Sequence, residues 1–398
     1  MRICIITARI PPSHCGVGDY SVQLAHELVS QGHEVTLICG KEQAGTSDEP
    51  GIRIRNVVSS WGIFGIRSLL AELPLRKPDL ILVNWVPHLY APKGTNLGLA
   101  LAMVLAKIDG ARIHTIVHEP YVELTRPSFF ITGPIQRLAL GILTWCSAAV
   151  LVTIQPWVQM LKAKYKKAAD KIFWVPVGSN IPVAPVTVTE RDHYRSELGM
   201  VPTDVALGVF SLGGAGKDLP CLTEAMKAMN KARIPCFWIF IGVTDEEFAE
   251  KFPKLKNVPH YCTGYLATET VSRWLQSIDL FVAAFDDGVS TRRTSVIAAL
   301  AHGVPTVTTV GHLTDHAFYE MSPLILTSLD PTEFASHVVR AAQNLSSLRT
   351  GRPEIREFYK SWFRWKDIAT SLLSPRAPAK TSKAASLQDP NYPSDLAS

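Results

Sequence analysis

The sequence alternates short apolar runs with longer amphipathic segments along most of its 398 residues. The runs are rich in β-branched residues and lack polar alternation, which is typical of parallel strands that are covered on both faces. The first unit shows the pattern, with a strand at residues 2–7, a helix at about 21–31 and a second strand at 35–39. Such a unit forms a right-handed crossover. The repeated alternation therefore predicts an α/β fold with doubly wound sheets.

The alternation is interrupted once, between residues 176 and 203, where prolines, glycine and polar residues replace the apolar runs. This composition is typical of a linker at a domain boundary, and the chain is long enough for two cores. We therefore predict a Rossmann-like domain at residues 1–182, a second at 183–355, a helix at 356–373 and a disordered tail at 374–398. The cleft between two such domains is the expected ligand site.

The charges are nearly balanced, with 40 basic and 35 acidic residues and a formal net charge of +5. This weak, scattered charge argues against nucleic acid binding and permits an anionic small ligand or a membrane surface. The seven cysteines are isolated, and neither a Cys-x-x-Cys motif nor a Cys/His ligand spacing is present in the sequence. We therefore expect reduced thiols in a cytoplasmic protein and no metal site.

Two segments raise the question of membrane contact. Residues 129–154 are strongly apolar, but Pro134, Gln136 and Arg137 interrupt them. The remaining run is shorter than the roughly 20 residues that a span needs, so we predict a buried helix to about Trp145 and then a strand at 148–153. The helix predicted next, at 157–171, either has a solvated face or contacts anionic lipid at the inner membrane surface. Its lysines are Lys162, Lys164, Lys166, Lys167 and Lys171.

Residues 286–305 change character twice, from an apolar strand through a polar turn at Gly288 to a helix that begins near Thr294. Arg292 and Arg293 lie directly before this helix. Free backbone N–H groups at a helix start bind anions, and neighbouring arginines strengthen such a site. The alternative is a capped surface turn with solvated arginines. The adjacent Asp286 and Asp287 would either bind hydroxyl groups of a ligand or cap the turn and pair with Arg292.

Other polar and glycine residues follow predicted strands, where α/β proteins place their ligand groups. Gly16 and Gly18 would let backbone N–H groups approach a phosphate or sugar, or would only form a tight turn. His88 and Tyr90 would stack on and bond a ligand, although packing of Tyr90 is an equal alternative. His118 ends a buried strand, and either faces the site or bonds to the backbone.

Four segments, in this order, resemble the GT-B glycosyltransferases of family 4 over about residues 1–369. They are the loop Gly16-Val17-Gly18-Asp19-Tyr20 with Gly32-His33-Glu34-Val35 after it, the linker from Val175 to Pro182, Lys217 before a helix with Glu224-Ala225, and Ala298-Ala299-Leu300-Ala301-His302-Gly303-Val304-Pro305-Thr306-Val307. The resemblance implies two Rossmann-like domains around a cleft, with the C-terminal helix crossing back to the first domain.

The resemblance also implies transfer of a sugar from a nucleoside diphosphate sugar to a hydroxyl acceptor, a sugar, glycan or lipid-linked glycan, in polysaccharide or glycolipid biosynthesis. Retention of anomeric configuration and independence of metal ions and cofactors follow from the family. The alternatives are an inactive nucleotide-sugar binding or scaffold protein and a nucleotide-sugar epimerase.

The expected site divides into three groups of residues. The catalytic candidates are His118, whose role the resemblance implies, and Asp287. The donor-binding candidates are Gly16, Val17, Gly18, Lys217, Gly288, Ser290, Thr291, Arg292, Arg293, Thr294 and Ser295. The acceptor-binding candidates are Asp19, Tyr20, His88, Tyr90 and Glu119.

The sequence departs from the family pattern at several positions. The family's two glutamates fall at Ser290 and Ala298, its diphosphate-binding arginine falls at Leu212, and the first loop glycine is replaced by Cys15. Lys217 remains, and Arg292 or Arg293 is expected to replace the missing arginine. The same departures favour the inactive alternative.

Overall fold

The computed structural model describes residues 1–13, 15–41, 48–62, 65–95, 97–122, 129–212, 216–255, 257–319 and 324–375. The chain forms two sheets in which all paired strands are parallel. The predicted α/β architecture with two doubly wound domains is confirmed. Most of the predicted disordered tail, residues 376–398, lies outside the described residues.

The first sheet has seven strands in the order β3-β2-β1-β4-β5-β6-β7. These strands are β1 (Arg2–Ile6), β2 (Glu34–Gly40), β3 (Ile52–Val58), β4 (Leu80–Trp85), β5 (Ile113–Val117), β6 (Ala149–Val152) and β7 (Ile172–Trp174). The helices are α1 (Gly16–Ser30), α2 (Ile66–Arg76), α3 (Pro87–Tyr90), α4 (Gly98–Ile108), α5 (Phe129–Cys146) and α6 (Gln155–Lys164), with 3-10 turns at Pro92–Gly94 and Lys166–Lys171.

The second sheet has six strands in the order β10-β9-β8-β11-β12-β13. They are β8 (Val205–Phe210), β9 (Cys236–Ile241), β10 (His260–Cys262), β11 (Leu280–Ala283), β12 (Thr306–Thr309) and β13 (Leu324–Thr327). The helices are α7 (Val188–Glu197), α8 (Leu219–Lys231), α9 (Asp245–Lys251), α10 (Thr268–Ser277), α11 (Thr294–Ala301), α12 (His316–Tyr319), α13 (Pro331–Gln343), α14 (Leu345–Thr350), α15 (Arg352–Trp362) and α16 (Trp365–Leu373).

Helices cover both faces of each sheet. In the first sheet, α2, α4 and α5 pack on one face and α1 and α16 on the other. In the second sheet, α8, α9 and α13 pack on one face and α10, α11 and α15 on the other. This arrangement explains why the strands show no polar alternation. In each sheet the strand order reverses beside the first strand, at β1 and at β8, where such folds bind ligands.

The segment predicted as a linker contains α7, which the sequence analysis missed. Its start is fixed by a capping box between Thr187 and Glu190. The helix is polar, and its buried residue is Arg195, which donates to the fully buried Asp279 at 2.9 Å. Because an ion pair rather than an apolar stripe holds α7, the helical period of apolar residues was absent from the sequence.

Three predicted helices differ clearly from the structure. The first begins at Gly16, so residues 16–20, predicted as a loop, form the first turn of α1. The lysine-rich helix ends at Lys164, and a 3-10 turn follows. The predicted helix at 356–373 is divided at Phe363 into α15, which packs on the second domain, and α16, which packs on α1 of the first. Trp365 anchors α16 by donating from Nε1 to the carbonyl of Ser179 at 2.8 Å. The chain therefore crosses back between the domains.

Candidate functional site

A cavity of about 290 Å³ lies between the two domains, at the carboxyl ends of the strands. Residues of both domains line it: Gly16, Asp19, Asn180, Ile181, Phe210, Ser211, Lys217, Phe285, Arg292, Arg293, Thr294 and Ser295. Three cavities are larger: two lie at the amino-terminal side of the first sheet, around Arg2, and one is a groove on the outer side of α5. Parallel sheets place their ligand groups at the opposite edge, so we take the interdomain cavity as the site.

Lys217 lies on the second-domain wall of this cavity, between β8 and α8. Its Nζ donates to the carbonyl of Phe210 at 3.3 Å and lies 4.5 Å from the ring centre of Phe285. Burial, and then the charge of Arg293, lower the pKa of Lys217 to about 7. A lysine in this position gains most from an anionic ligand, because such a ligand restores its charged form.

Arg292 and Arg293 share the carboxylate of Asp287. Arg292 binds one oxygen at 2.9 Å, and Arg293 binds the other. Arg292 also reaches Glu119 of the first domain at 3.1 Å. The Nε atoms of both arginines are buried without a hydrogen-bond partner in the described part of the chain. Asp287 therefore holds both guanidinium groups in place at the cavity wall.

The amino end of α11 lies beside these arginines. Its N-cap residue, Arg293, makes no side-chain capping bond, and the first two helical residues, Thr294 and Ser295, line the cavity. The N–H of Thr294 donates to the carbonyl of Arg292 at 3.0 Å, and that of Val296 to the carbonyl of Arg293 at 2.9 Å. The positive end of the helix dipole, with two neighbouring guanidinium groups, favours an anion here. The predicted strand, turn and helix start are therefore present, and the arginines are held by ion pairs rather than solvated.

The three predicted glycines differ in what surrounds them. A Cβ on Gly16 would meet nothing within 4 Å, and this residue lines the cavity. A Cβ on Gly18 would lie 2.6 Å from the carbonyl of Arg9, so Gly18 serves close backbone packing. Gly288 has φ +87°, and a Cβ there would lie 2.2 Å from the nitrogen of Gly311. Gly288 therefore shapes the turn and does not line the cavity.

His118 lies behind the cavity wall in a buried hydrogen-bond chain. Its Nε2 pairs with Oδ1 of Asn84 at 2.9 Å, and Asn84 donates to Ser21 at 3.0 Å. Ser21 in turn donates to the carbonyl of Val17 at 2.6 Å. Burial lowers the pKa of His118 to about 3, so the imidazole is neutral near pH 7. The sequence analysis missed Asn84 and Ser21, which join His118 to the first turn of α1.

The predicted acceptor residues separate into exposed and buried groups. Asp19 lines the cavity, and His88 is exposed. Tyr20 is buried against His118, with ring centres 4.8 Å apart. Tyr90 is buried and donates to the carbonyls of Ile6 and Asn84. The structure corrects the acceptor assignment of both tyrosines, because neither presents a surface to a ligand.

Thr291 joins the two domains and does not line the cavity. Its hydroxyl donates to the carbonyl of Thr153 at 2.5 Å, and its N–H donates to Asp315 at 2.6 Å. Asp315 also accepts from the N–H of Gln155, at the start of α6, at 2.5 Å. Burial raises the pKa of Asp315 to about 6. The sequence analysis missed Asp315, since an acidic residue after a turn carries no distinctive signal.

Three of the four positions that differ from the family pattern are buried, and the fourth, Cys15, is half-buried. Ser290 and Ala298 are fully buried, and Oγ of Ser290 has no hydrogen-bond partner among the described residues. Leu212 is buried as well. The guanidinium of Arg293 lies over Gly216, with Nη2 only 2.7 Å from where a Cβ would stand. Arg293 therefore places a cation directly beside the residue that precedes Lys217.

One group of metal-ligand side chains lies outside the cavity. Asp245, His260 and Cys262 have ligand atoms within 4.8 Å of one another, at α9 and the outermost strand β10. The sequence analysis missed this group because its members are separated in the chain and match no spacing motif. None of the three lines the interdomain cavity.

Residues 205–344 match the family model of glycosyl transferases group 1. No curated protein sequence matches the chain. Sucrose-phosphate synthase from Thermosynechococcus elongatus is similar in structure with a TM-score of 0.70 and 15% identity, over 94% of this chain and 97% of that one. HepE from Anabaena, in complex with UDP and glucose, is similar in structure with a TM-score of 0.67 and 14% identity, over 94% of this chain and 98% of that one.

WaaG, a glycosyltransferase involved in lipopolysaccharide biosynthesis, also gives a TM-score of 0.67, with 15% identity over 94% of this chain and 100% of that one. At these identities the likeness shows the fold, and the family model adds the sequence pattern of the second domain. The chain therefore has the GT-B fold, and its second domain matches the family model of glycosyl transferases group 1 over residues 205–344.

Proposed function

We propose that this protein transfers a sugar from a nucleoside diphosphate sugar to a hydroxyl acceptor, with retention of configuration and without a metal ion. We place the reaction in the cytoplasm, where the seven free cysteines would stay reduced. The observation that carries the proposal is the convergence of Lys217, Arg292, Arg293 and the uncapped start of α11 on the interdomain cavity. A diphosphate needs these donors when it leaves the sugar.

In the proposed complex the diphosphate lies against Nζ of Lys217, the guanidinium group of Arg293 and the amino end of α11. Arg293 takes the place of the family arginine that Leu212 replaces. Asp287 orients both guanidinium groups before the ligand binds, which reduces the ordering cost of binding. These cations perform the charge neutralisation that a metal ion performs in other transferases.

The first domain completes the proposed site from the other side of the cleft. Gly16 offers open backbone next to the cavity, and Asp19 lines it as a ligand for sugar or acceptor hydroxyls. The hydrogen-bond chain from His118 reaches the carbonyl of Val17 in the first turn of α1. The interdomain bonds of Thr291 and Asp315 limit access of water, and hence hydrolysis of the donor.

A second candidate function is a binding protein without transferase activity. The burial of Ser290 and Ala298 favours it, because neither position supplies the carboxylate that the family pattern has there. An epimerase is less favoured, since it needs groups for proton transfer to the sugar ring, and Asp19 is the carboxylate among the described residues that line the cavity.

Calorimetry with UDP-, GDP- and ADP-sugars tests donor binding, and a hydrolysis screen with the same donors tests turnover. We expect one nucleotide class to bind, with weaker binding by Arg293→Ala and no change in Arg340→Ala, a variant of a distant arginine on α13. Chelator tests the metal independence, and NMR of the product anomer tests retention. Binding without turnover on any acceptor would favour the second candidate, and no binding to any nucleotide would refute both.

A further inference from the structure

The outer face of α5 is apolar, unlike that of an ordinary surface helix. Arg137 is the single charged residue among the 18 residues of this helix. Side chains at a helical period point outward, and three of them are largely exposed: Ile131 at 73%, Leu138 at 55% and Trp145 at 59%. Helices on a protein surface normally place polar residues on this side. The sequence analysis predicted a buried helix here, and the structure buries only its inner face.

Helix α4 lies beside α5 and repeats the pattern. Leu101, Leu105 and Ile108 are exposed at a helical period, and Ile108 is 71% exposed. A groove of about 540 Å³ lies where α4 and α5 meet, lined by Val104 and the outward side chains of α5. We call the exposed apolar residues of both helices the α4–α5 surface. A continuous apolar face on two adjacent helices marks an interaction site.

Cations lie along the edges of the α4–α5 surface. Nζ of Lys107 lies 4.3 Å from the ring centre of Trp145 and donates to the carbonyl of this residue at 2.8 Å. Arg137 and Lys164 both lie over the ring of Tyr121, at 4.2 Å and 5.1 Å. The cations are close enough for the charge of Arg137, after burial, to lower the pKa of Lys164.

The neighbouring 3-10 turn extends this cationic edge. Lys166 and Lys167 are exposed, and Lys171 donates to the carbonyl of Ser147 at 2.7 Å, just beyond the end of α5. The acidic residues near these cations are Asp109, directly after α4, and Asp170, in the 3-10 turn. The lysines of residues 162–171 therefore border an apolar face, which the sequence analysis did not recognise as a neighbour of theirs.

The inner face of α5 shows that the helix stays attached to the protein. By length and composition alone α5 is apolar enough to cross a membrane, and 44% of it is buried inside the protein. Gln136 on this inner face is fully buried, accepts from the N–H of Val122 at 2.9 Å and donates to the carbonyl of Lys93 at 3.0 Å. Spanning a bilayer would break these bonds, whereas lying in its surface would not.

We propose that the α4–α5 surface docks on an anionic lipid bilayer, with α5 lying in the plane of the interface. The apolar side chains enter the boundary between headgroups and acyl chains, and the cationic edge binds the lipid phosphates. Charge favours a bilayer over a second copy of this chain, because a two-fold contact would bring the cationic edges of the two copies together. The proposal is independent of which sugar the protein transfers.

Flotation of the full chain with vesicles tests the proposal. We expect binding to vesicles with about one-third phosphatidylglycerol, weaker binding to pure phosphatidylcholine, and loss as salt is raised from about 0.1 M to about 0.5 M. In Leu105→Gln and Leu138→Gln the partition onto vesicles should fall about tenfold for each substitution. Both residues are exposed, so the fold and donor binding should not change.

The matched control is Val183→Gln with Val201→Gln, two side chains outside the α4–α5 surface that are 52% exposed each. This variant should bind vesicles like the parent chain. Equal binding to charged and uncharged vesicles at all salt concentrations would overturn the role of the cationic edge. Absence of vesicle binding, or a concentration-dependent dimer that Leu138→Gln dissociates, would overturn the proposal and assign the surface to another partner.

Discussion

The pKa of Lys217 makes donor binding a proton-coupled event. Burial and the charge of Arg293 lower this pKa to about 7 in the unliganded protein, so about half of the molecules carry a neutral amine at pH 7. A diphosphate against Nζ favours the ammonium and raises the pKa towards its ordinary value. Binding should therefore take up about 0.1 proton at pH 6, about 0.5 at pH 7 and about 0.9 at pH 8.

Calorimetry measures this uptake directly. The heat of binding is recorded at one pH in buffers of different ionisation enthalpy, and the slope gives the number of protons bound. A nucleoside diphosphate sugar is the suitable ligand, since it has no terminal phosphate that titrates near neutral pH. Lys217→Met should abolish the uptake and remove a charge-assisted hydrogen bond of about 1.5–3 kcal/mol, which raises Kd roughly 10- to 100-fold.

Lys227→Met is the control, because Lys227 is an exposed lysine on the same helix, α8. It should change neither the proton uptake nor Kd. Arg293→Met should raise the pKa of Lys217 and so reduce the uptake at pH 7. Tight donor binding with no proton uptake at pH 8 would refute the reasoning, and an unchanged Kd in Lys217→Met would remove Lys217 from the site.

The remaining predictions concern the framework of the site. Asp279→Ala leaves the buried guanidinium of Arg195 unpaired and should lower the free energy of unfolding by about 3–5 kcal/mol in a denaturant titration. Gly288→Ala forces a Cβ against the backbone of Gly311 at φ +87°, so we expect a loss of about 2 kcal/mol and weaker donor binding by calorimetry. Burial raises the pKa of Asp315 from 3.8 to about 6, so its contribution to stability is present below pH 3.8 and is lost as pH rises through 6. The loss is about 3 kcal/mol, and Asp315→Asn should remove this part of the pH dependence of unfolding.

The family departures have a physical interpretation. Ala298 lies in the core of the second domain, and Ser290 is fully buried in the turn before α11. A carboxylate at either position would need a partner in a space that apolar and backbone groups now fill. Lys217, Arg292 and Arg293 line the cavity. The absence of the glutamates therefore does not remove the groups that we propose to bind the diphosphate.

The sequence alone determined the fold class, because the covered strands and the helices between them follow from local apolar patterns. It did not predict β3, α2, α7 or β13. For α7 the reason is direct: an ion pair between Arg195 and Asp279, residues distant in the chain, holds a helix that lacks an apolar stripe. Likewise, the outer face of α5 has the composition of a core helix. This face is exposed because none of the described elements of the tertiary structure covers it.

For the site, the sequence determined that Lys217, Arg292, Arg293 and the start of α11 belong together, since each follows a strand of the same predicted sheet. The tertiary structure decided which of the other predicted residues reach the cavity. Tyr20 and Tyr90 lie in the core, and Thr291 joins the domains through Asp315. Tyr90 is fixed by contacts inside the first domain, with Ile6 and Asn84, whereas Thr291 is fixed by a contact with Thr153 of the other domain, 138 residues away. Local patterns carry no information about either outcome, because burial and hydrogen bonding depend on which segments the tertiary structure brings together.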